Sequence, residues 1–285
     1  MNDTSLKKTT YSPDSHLRNP GLLAREMLDD LVACRYLAWR LFVRNVSAQY
    51  RQTLLGYIWA FLPPLFVMGV WVFLNSQKII NVEDPGMPYP VFVLTGTVLW
   101  QTFVDALNSP LKVVTESRGM LAKINFPREA LIFAGIGEVL LNFLIRILLL
   151  VAVMAWYQVP VPPTIPLVLP GVLALIILGM AFGILLTPLG ILYNDIGRTV
   201  MIVTQVWFFL TPVVYPLPKS GFAATLTQFN PVTPVLTTTR EWLTVGSSSQ
   251  LTGFMVVTGF AIIFLIFGWL LYRIAMPHLI ARIGA

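Results

Sequence analysis

Reactive side chains are scarce in this sequence, and each scarcity removes a class of function. The single cysteine, Cys34, excludes an internal disulfide and any cysteine-based metal cluster. The two histidines, His16 and His278, stand in the two tails, which argues against a histidine catalytic centre. No Gly-Lys dipeptide occurs anywhere, so a GxxxxGK[ST] phosphate loop is absent and the chain cannot hydrolyse ATP in the P-loop manner. Paired carboxylates, a Ser/His/Asp set and a metal-ligand cluster at useful spacing are also missing, so no catalytic residue and no metal ligand is nominated. No apolar core precedes residue 20, and a cleavable signal peptide is therefore not expected. No soluble domain and no internal repeat stands out.

Charge is scarce too. Only 11% of residues are charged while 56% are hydrophobic, and the mean hydropathy is +0.75. Such a chain is an all-α integral membrane protein and not a soluble globule. The net charge of +6 does not indicate nucleic acid, because the basic residues border apolar segments instead of forming a soluble face. A charged lipid surface explains them better.

The chain is organised around residues 36–64, where a basic amphipathic stretch runs into an apolar one. On a helical wheel Trp39, Phe42, Val43, Val46 and Tyr50 share one face, with Arg40, Arg44, Ser47 and Arg51 opposite. That pattern suits a helix lying in the headgroup layer. Tyr57–Leu74 carries no charge and is long enough to cross a hydrocarbon core, and Gly56 supplies freedom for the bend between them. Pro63 and Pro64 are expected to kink this first span.

The remaining organisation follows from apolar runs and turn residues. Residues 1–26 read as a flexible tail and 27–56 as the interfacial helix. Residues 57–272 form a six-span domain, with spans near 57–76, 91–109, 130–157, 167–192, 199–217 and 251–272. The charged loop 110–128 separates the second and third spans, 218–250 is too polar to cross fully, and 273–285 is a tail. Loop charge orients the set. Lys7, Lys8, Arg18, Arg25, Arg35, Arg40, Arg44, Arg51, Lys112, Arg118, Lys123, Arg128, Arg198, Arg273 and Arg282 fall on one side. Lys78, Lys219 and Arg240 fall on the other, so both termini are expected in the cytoplasm.

Few charges lie inside spans. Glu138, Asn142 and Arg146 are spaced i, i+4, i+8 on one helical face, so Asn142 could bridge an ion pair that locks the bundle. A proton relay and a channel-lining role are the alternatives, the relay disfavoured by the shortage of acidic groups. Asp105, near the end of its span, is read as exposed to interfacial water. Aromatic residues recur: Trp71, Trp100, Phe103, Trp207, Phe208 and Tyr215 are candidates for a polar yet greasy conduit, whereas Trp156 suits an interfacial belt. Phe103 follows Trp100 by three residues and shares its face.

The string RNVSAQYRQTLLGYIWAFLPPL (44–65) resembles the start of the membrane subunit of ABC-2 type transporters. ESRGMLAKINFPRE (116–129), NDIGR (194–198), Q-x-W-x-x-x-TPVVYP (205–216) and NPVTPV with Arg240 are similar to its polysaccharide-export branch. The resemblance implies a homodimer of six-span subunits in the bacterial cytoplasmic (inner) membrane. Two ABC ATPase subunits would bind ATP and magnesium, and the cargo would be a lipid-linked glycan of O-antigen, capsule or teichoic-acid type. It further implies that the loop 110–128 contains a short coupling helix docking on the ATPase. Glu116, Arg118 and Lys123 would then make rim contacts, Leu121 or Ile124 would insert, and Phe126, Pro127 and Arg128 would follow. It implies external re-entrant half-helices at 218–250. The chain would itself be no enzyme. Competing classes are an ABC-2 permease for a lipid or drug, and a stand-alone secondary transporter or membrane-embedded enzyme.

Overall fold

The computed structural model describes residues 34–51, 56–80, 82, 84–121, 123–124 and 126–283. The expected tail 1–26 and residues 27–33 and 52–55 of the interfacial segment lie outside the described residues. Among the described residues ten α-helices follow in order: α1 (Arg35–Arg51), α2 (Leu62–Ser76), α3 (Tyr89–Glu116), α4 (Arg118–Leu121), α5 (Glu129–Trp156), α6 (Val168–Leu192), α7 (Asp195–Leu210), α8 (Phe222–Phe229), α9 (Val232–Thr244) and α10 (Leu251–Ile283). Short 3-10 turns precede α2 (Gly56–Ala60) and α6 (Ile165–Leu167), and no strand occurs among the described residues.

Among the described residues four segments are long and apolar enough to cross a membrane: Tyr89–Glu116, Glu129–Trp156, Ile165–Leu192 and Leu251–Pro277. The other two expected spans are shorter. With 15 residues, α2 reaches about 23 Å at the usual helical rise and depends on the preceding 3-10 turn for the rest. Pro63 and Pro64 do not kink it; they occupy its first turn, where the missing N–H groups have no helical partner to lose. At Gly56 φ is +51°, so the expected bend has the backbone conformation that favours glycine. α7 has 16 residues and ends at Leu210, because Thr211 precedes Pro212 and turns extended.

Two expected boundaries are corrected. Pro110 does not end the second span: α3 runs through it to Glu116, and the helix in the expected coupling segment is the four-residue α4. The ring of Pro110 lies against Gly183, which has no Cβ to obstruct it. At the other end α10 continues to Ile283, so most of the presumed tail 273–285 is helix.

α3 and α6 make the buried centre, with α5 and α10 flanking it and exposing long apolar faces. The α3–α6 contact is close because α6 carries small residues where the backbones meet. A Cβ on Gly179 would stand 2.6 Å from the Phe103 carbonyl oxygen, and one on Gly183 would strike that of Leu107. This Gly-x-x-x-Gly pair replaces the missing hydrophobic drive between helices in lipid with close packing. Buried threonines along α3 donate back to their own helix, as Thr95 does to Val91 and Thr102 to Val98, at 2.7 and 2.8 Å.

The two ends of the bundle are chemically different. One gathers the end of α3, α4, the starts of α5 and α7 and the end of α6, and it holds Lys112, Arg118, Lys123, Arg128 and Arg198. The other gathers the start of α3, α9 and the turn before α6: Thr164 donates to the Trp242 carbonyl (2.7 Å) and Tyr89 to that of Val214 (3.0 Å).

Candidate functional site

At the basic end, α3 stops at Glu116 and the chain makes one turn of helix before the irregular segment leading to α5. Glu116, Lys123 and Ile124 are exposed, Ile124 at 59%. Leu121 is buried inside the subunit, so of the two residues expected to insert into a partner only Ile124 is free to do so. Arg118 is not a free rim residue either. Its Nη2 donates to the carbonyls of Gly190 (2.9 Å) and Ile191 (3.2 Å), and its Nη1 lies 3.4 Å from Asn194 Oδ1. Phe126 and Pro127 are half-buried, Phe126 against the core, and Arg128 is half-buried just before α5.

α1 lies against α5. Its inward stripe is Ala38, Leu41 and part of Phe42, continued by Cys34 just before the helix begins. Phe42 fits over Gly137, where a Cβ would meet its ring at 2.8 Å. The expected single lipid face is therefore split: Trp39 and Val43 stay exposed, at 62% and 44%, whereas Phe42 turns inward. Arg40 and Arg44 are exposed as expected, and the Arg40 guanidinium also stands 5.1 Å above the Tyr36 ring. The side chains of Tyr50 and Arg51 lie outside the described set.

The intramembrane charges pair across helices and not along one. Arg146 Nη1 stands 2.6 Å from Asp105 Oδ2, and Glu138 Oε2 lies 3.4 Å from Lys112 Nζ. Glu138 Oε1 also accepts from Asn45 Nδ2 of α1 at 2.8 Å. Glu138 and Arg146, expected to be bridged by Asn142 within α5, form two α3–α5 staples, and Asn142 too has an interaction partner. Sequence reading missed Lys112 and Asn45 and left Asp105 to interfacial water. The signal was present: the order Asp105, Lys112 on one helix is the antiparallel complement of Glu138, Arg146 on the next. A third pair, Arg273 to Glu129 at 3.2 Å, ties α10 to the start of α5.

The aromatic candidates divide. Trp100 and Phe103 do not face an open lumen in this subunit: they are 5% and 0% exposed. They pack on Trp207, with centroids 6.4 and 5.3 Å away, and Phe208 closes on Trp100 at 5.9 Å. The shared face that made them a joint conduit candidate points into the α3–α6–α7 core, since the close glycine contact draws α6 in beside it. Trp71 is likewise half-buried against the core. Trp207 donates its indole N–H to Asn230 (2.9 Å), and Tyr215 donates to the Phe209 carbonyl (2.9 Å). Large apolar groups turned outward on α2 and α7 are instead Phe66, Val70, Phe73, Val206 and Phe209. Trp156, 84% exposed at the end of α5, has the setting of a belt residue.

Arg240 is a functional candidate that loop counting misplaced. It is 4% exposed, and its Nη2 donates to the carbonyls of Pro212 (2.9 Å) and Val213 (2.7 Å), which the α7 break leaves without helical donors. Its guanidinium lies 4.0 Å over the Phe92 ring, and Gly96 leaves the space for it. Asn230 completes the tie by donating to Leu210 and Thr211. The NPVTPV segment and Arg240 thus hold the end of α7 to the start of α3. The region 218–250 contains α8 and α9, each too short to cross.

No group of three or more metal-ligating side chains occurs among the described residues. Residues 36–243 match the family described as ABC-2 type transporter. The O-antigen export system permease protein RfbA of Myxococcus xanthus is 31% identical over 194 residues, covering 67% of this chain and 72% of that protein. The polysialic acid transport protein KpsM of Escherichia coli is 25% identical over 245 residues, covering 82% and 91%. A second O-antigen export permease, RfbA of Klebsiella pneumoniae, is 24% identical over 243 residues, covering 81% and 91%. The chain is a multi-pass, all-helical membrane protein of the ABC-2 type transporter family.

Proposed function

We propose that this chain is the permease subunit of an ATP-driven exporter that moves a lipid-linked polysaccharide across the cytoplasmic membrane. The observation that carries the reading is the match over most of the chain to permeases named for O-antigen export and polysialic acid transport. The chain has no P-loop, so the energy comes from a separate ABC ATPase that binds ATP and magnesium. The exposed segment with Glu116, Lys123 and Ile124 is the docking surface for that ATPase, two copies of which serve a permease pair. The basic end faces the cytoplasm under the positive-inside rule, which puts α8 and α9 on the outer side. One subunit offers little perimeter for a bulky glycan, so the path lies between two copies. Its walls come from the outward faces of α2 and α7, with Phe66, Phe73 and Phe209 offering ring faces to sugar C–H surfaces.

Deleting the gene in its host tests the reading. Surface glycan should disappear while its lipid-linked form accumulates inside, and the wild-type chain should co-purify with an ABC ATPase. Unchanged surface glycan with a missing lipid or drug-efflux activity would replace the polysaccharide reading with a different ABC-2 cargo.

A further inference from the structure

We infer that Arg118 is a positioning residue that bolts the coupling segment to the α6–α7 junction, so that a load on that segment reaches α7; this rests on the ATPase-docking reading above. The last carbonyls of a helix lack intrahelical donors and attract cations, yet the last turn of α6 has no basic residue of its own. Arg118 supplies the charge from another element. Its Nη2 lies within hydrogen-bond reach of two successive carbonyls, Gly190 and Ile191, and its Nη1 approaches Asn194 Oδ1. A planar guanidinium can satisfy several acceptors at once, which an ammonium cannot do with the same geometry.

Asn194 immediately precedes α7, where an asparagine ordinarily caps the helix with its own side chain. Here it makes no such cap and its oxygen is turned to Arg118 instead. One guanidinium therefore touches the end of α6 and the start of α7 while its backbone opens α4. On the α4 side, burial of Leu121 keeps the turn from sliding free. On the α7 side, Ile196, Val200, Thr204 and Trp207 form one packed stripe while most of the helix is exposed, so α7 rests on the core along a single line. Its far end is tied by Asn230 and Arg240, as described above. A helix anchored this way moves as a rod when one anchor is displaced.

The test uses the full chain purified with its ATPase, in a Cys34→Ser background with Met201→Cys on the exposed face of α7; native Cys34 is buried. Maleimide labelling at 201 is measured with and without ATP plus vanadate, alongside glycan export and hydrolysis. Arg118→Ala should keep the ATPase bound and hydrolysing, lose the nucleotide-dependent change in labelling, and lower glycan exported per ATP about tenfold. Arg118→Lys should restore part of both, since one donor group returns. If Arg118→Ala does not accumulate, Asn194→Ala carries the same expectation with a smaller loss. Wild-type export and labelling response in both variants would overturn the inference. Loss of the ATPase from Arg118→Ala would overturn it too, by making Arg118 a docking residue. An ATPase that fails to bind the wild-type chain would instead refute the docking reading, and the inference with it.

Discussion

Replacing Arg146 with leucine should cost far more than replacing Arg146 and Asp105 together. The pair is close, 2.6 Å, with the arginine side chain 10% and the aspartate side chain 27% exposed. Removing one partner of a buried pair typically costs about 3–5 kcal/mol, because the remaining charge is stranded away from water. Asp105 keeps some access, so about 3 kcal/mol, the low end of that range, is expected for Arg146→Leu. Asp105→Asn retains an acceptor for the guanidinium and should cost about 2 kcal/mol. The double change to leucine strands nothing and should fall within about 1 kcal/mol of wild type, since apolar replacements of buried pairs are often neutral. Unfolding in mixed micelles with increasing dodecyl sulfate, followed by tryptophan fluorescence, reads all four proteins. A leucine double variant no more stable than Arg146→Leu alone would refute the α3–α5 staple. It would also return Arg146 to a channel or relay role, in which export and not stability is the quantity lost.

The glycine contact yields a sharp contrast. Gly183→Ala pushes a methyl group against the Leu107 carbonyl and should destabilise by about 1–3 kcal/mol, whereas Gly259→Ala meets open space and should change stability by less than about 1 kcal/mol in the same micelle assay. Phe103→Ala opens the core and should lower stability by about 3–5 kcal/mol, while Phe209→Ala, at 62% exposure, should leave it nearly unchanged and reduce export; equal stability of the two variants would contradict the burial pattern. Reporter fusions after residue 285 and within 193–198 should read as cytoplasmic and fusions within 158–165 as external; an external C-terminus would invert the orientation argued from charge.

What could be read from the sequence was whatever one helix displays by itself. The third and fourth spans were legible because α5 and α6 are long, nearly uncharged runs bounded by turn residues. The split of the α1 face was not, because it depends on Gly137 of another helix making a seat for Phe42. The same holds for Trp100 and Phe103: their common face was visible, but whether it met a lumen or a neighbour depended on how close Gly179 and Gly183 let α6 come. Charge counting succeeds where side chains end in water and misleads where they do not. Arg240 was counted among loop charges, yet its guanidinium sits on Phe92 and two carbonyls that Pro212 helped to free. That last case reverses the usual order of inference. Thr211-Pro212 ends α7 after 16 residues, the broken helix leaves carbonyls without donors, and a buried cation becomes the means of satisfying them. An arginine following a Pro-broken apolar segment is thus better read as a partner for the break than as a marker of the side on which it lies.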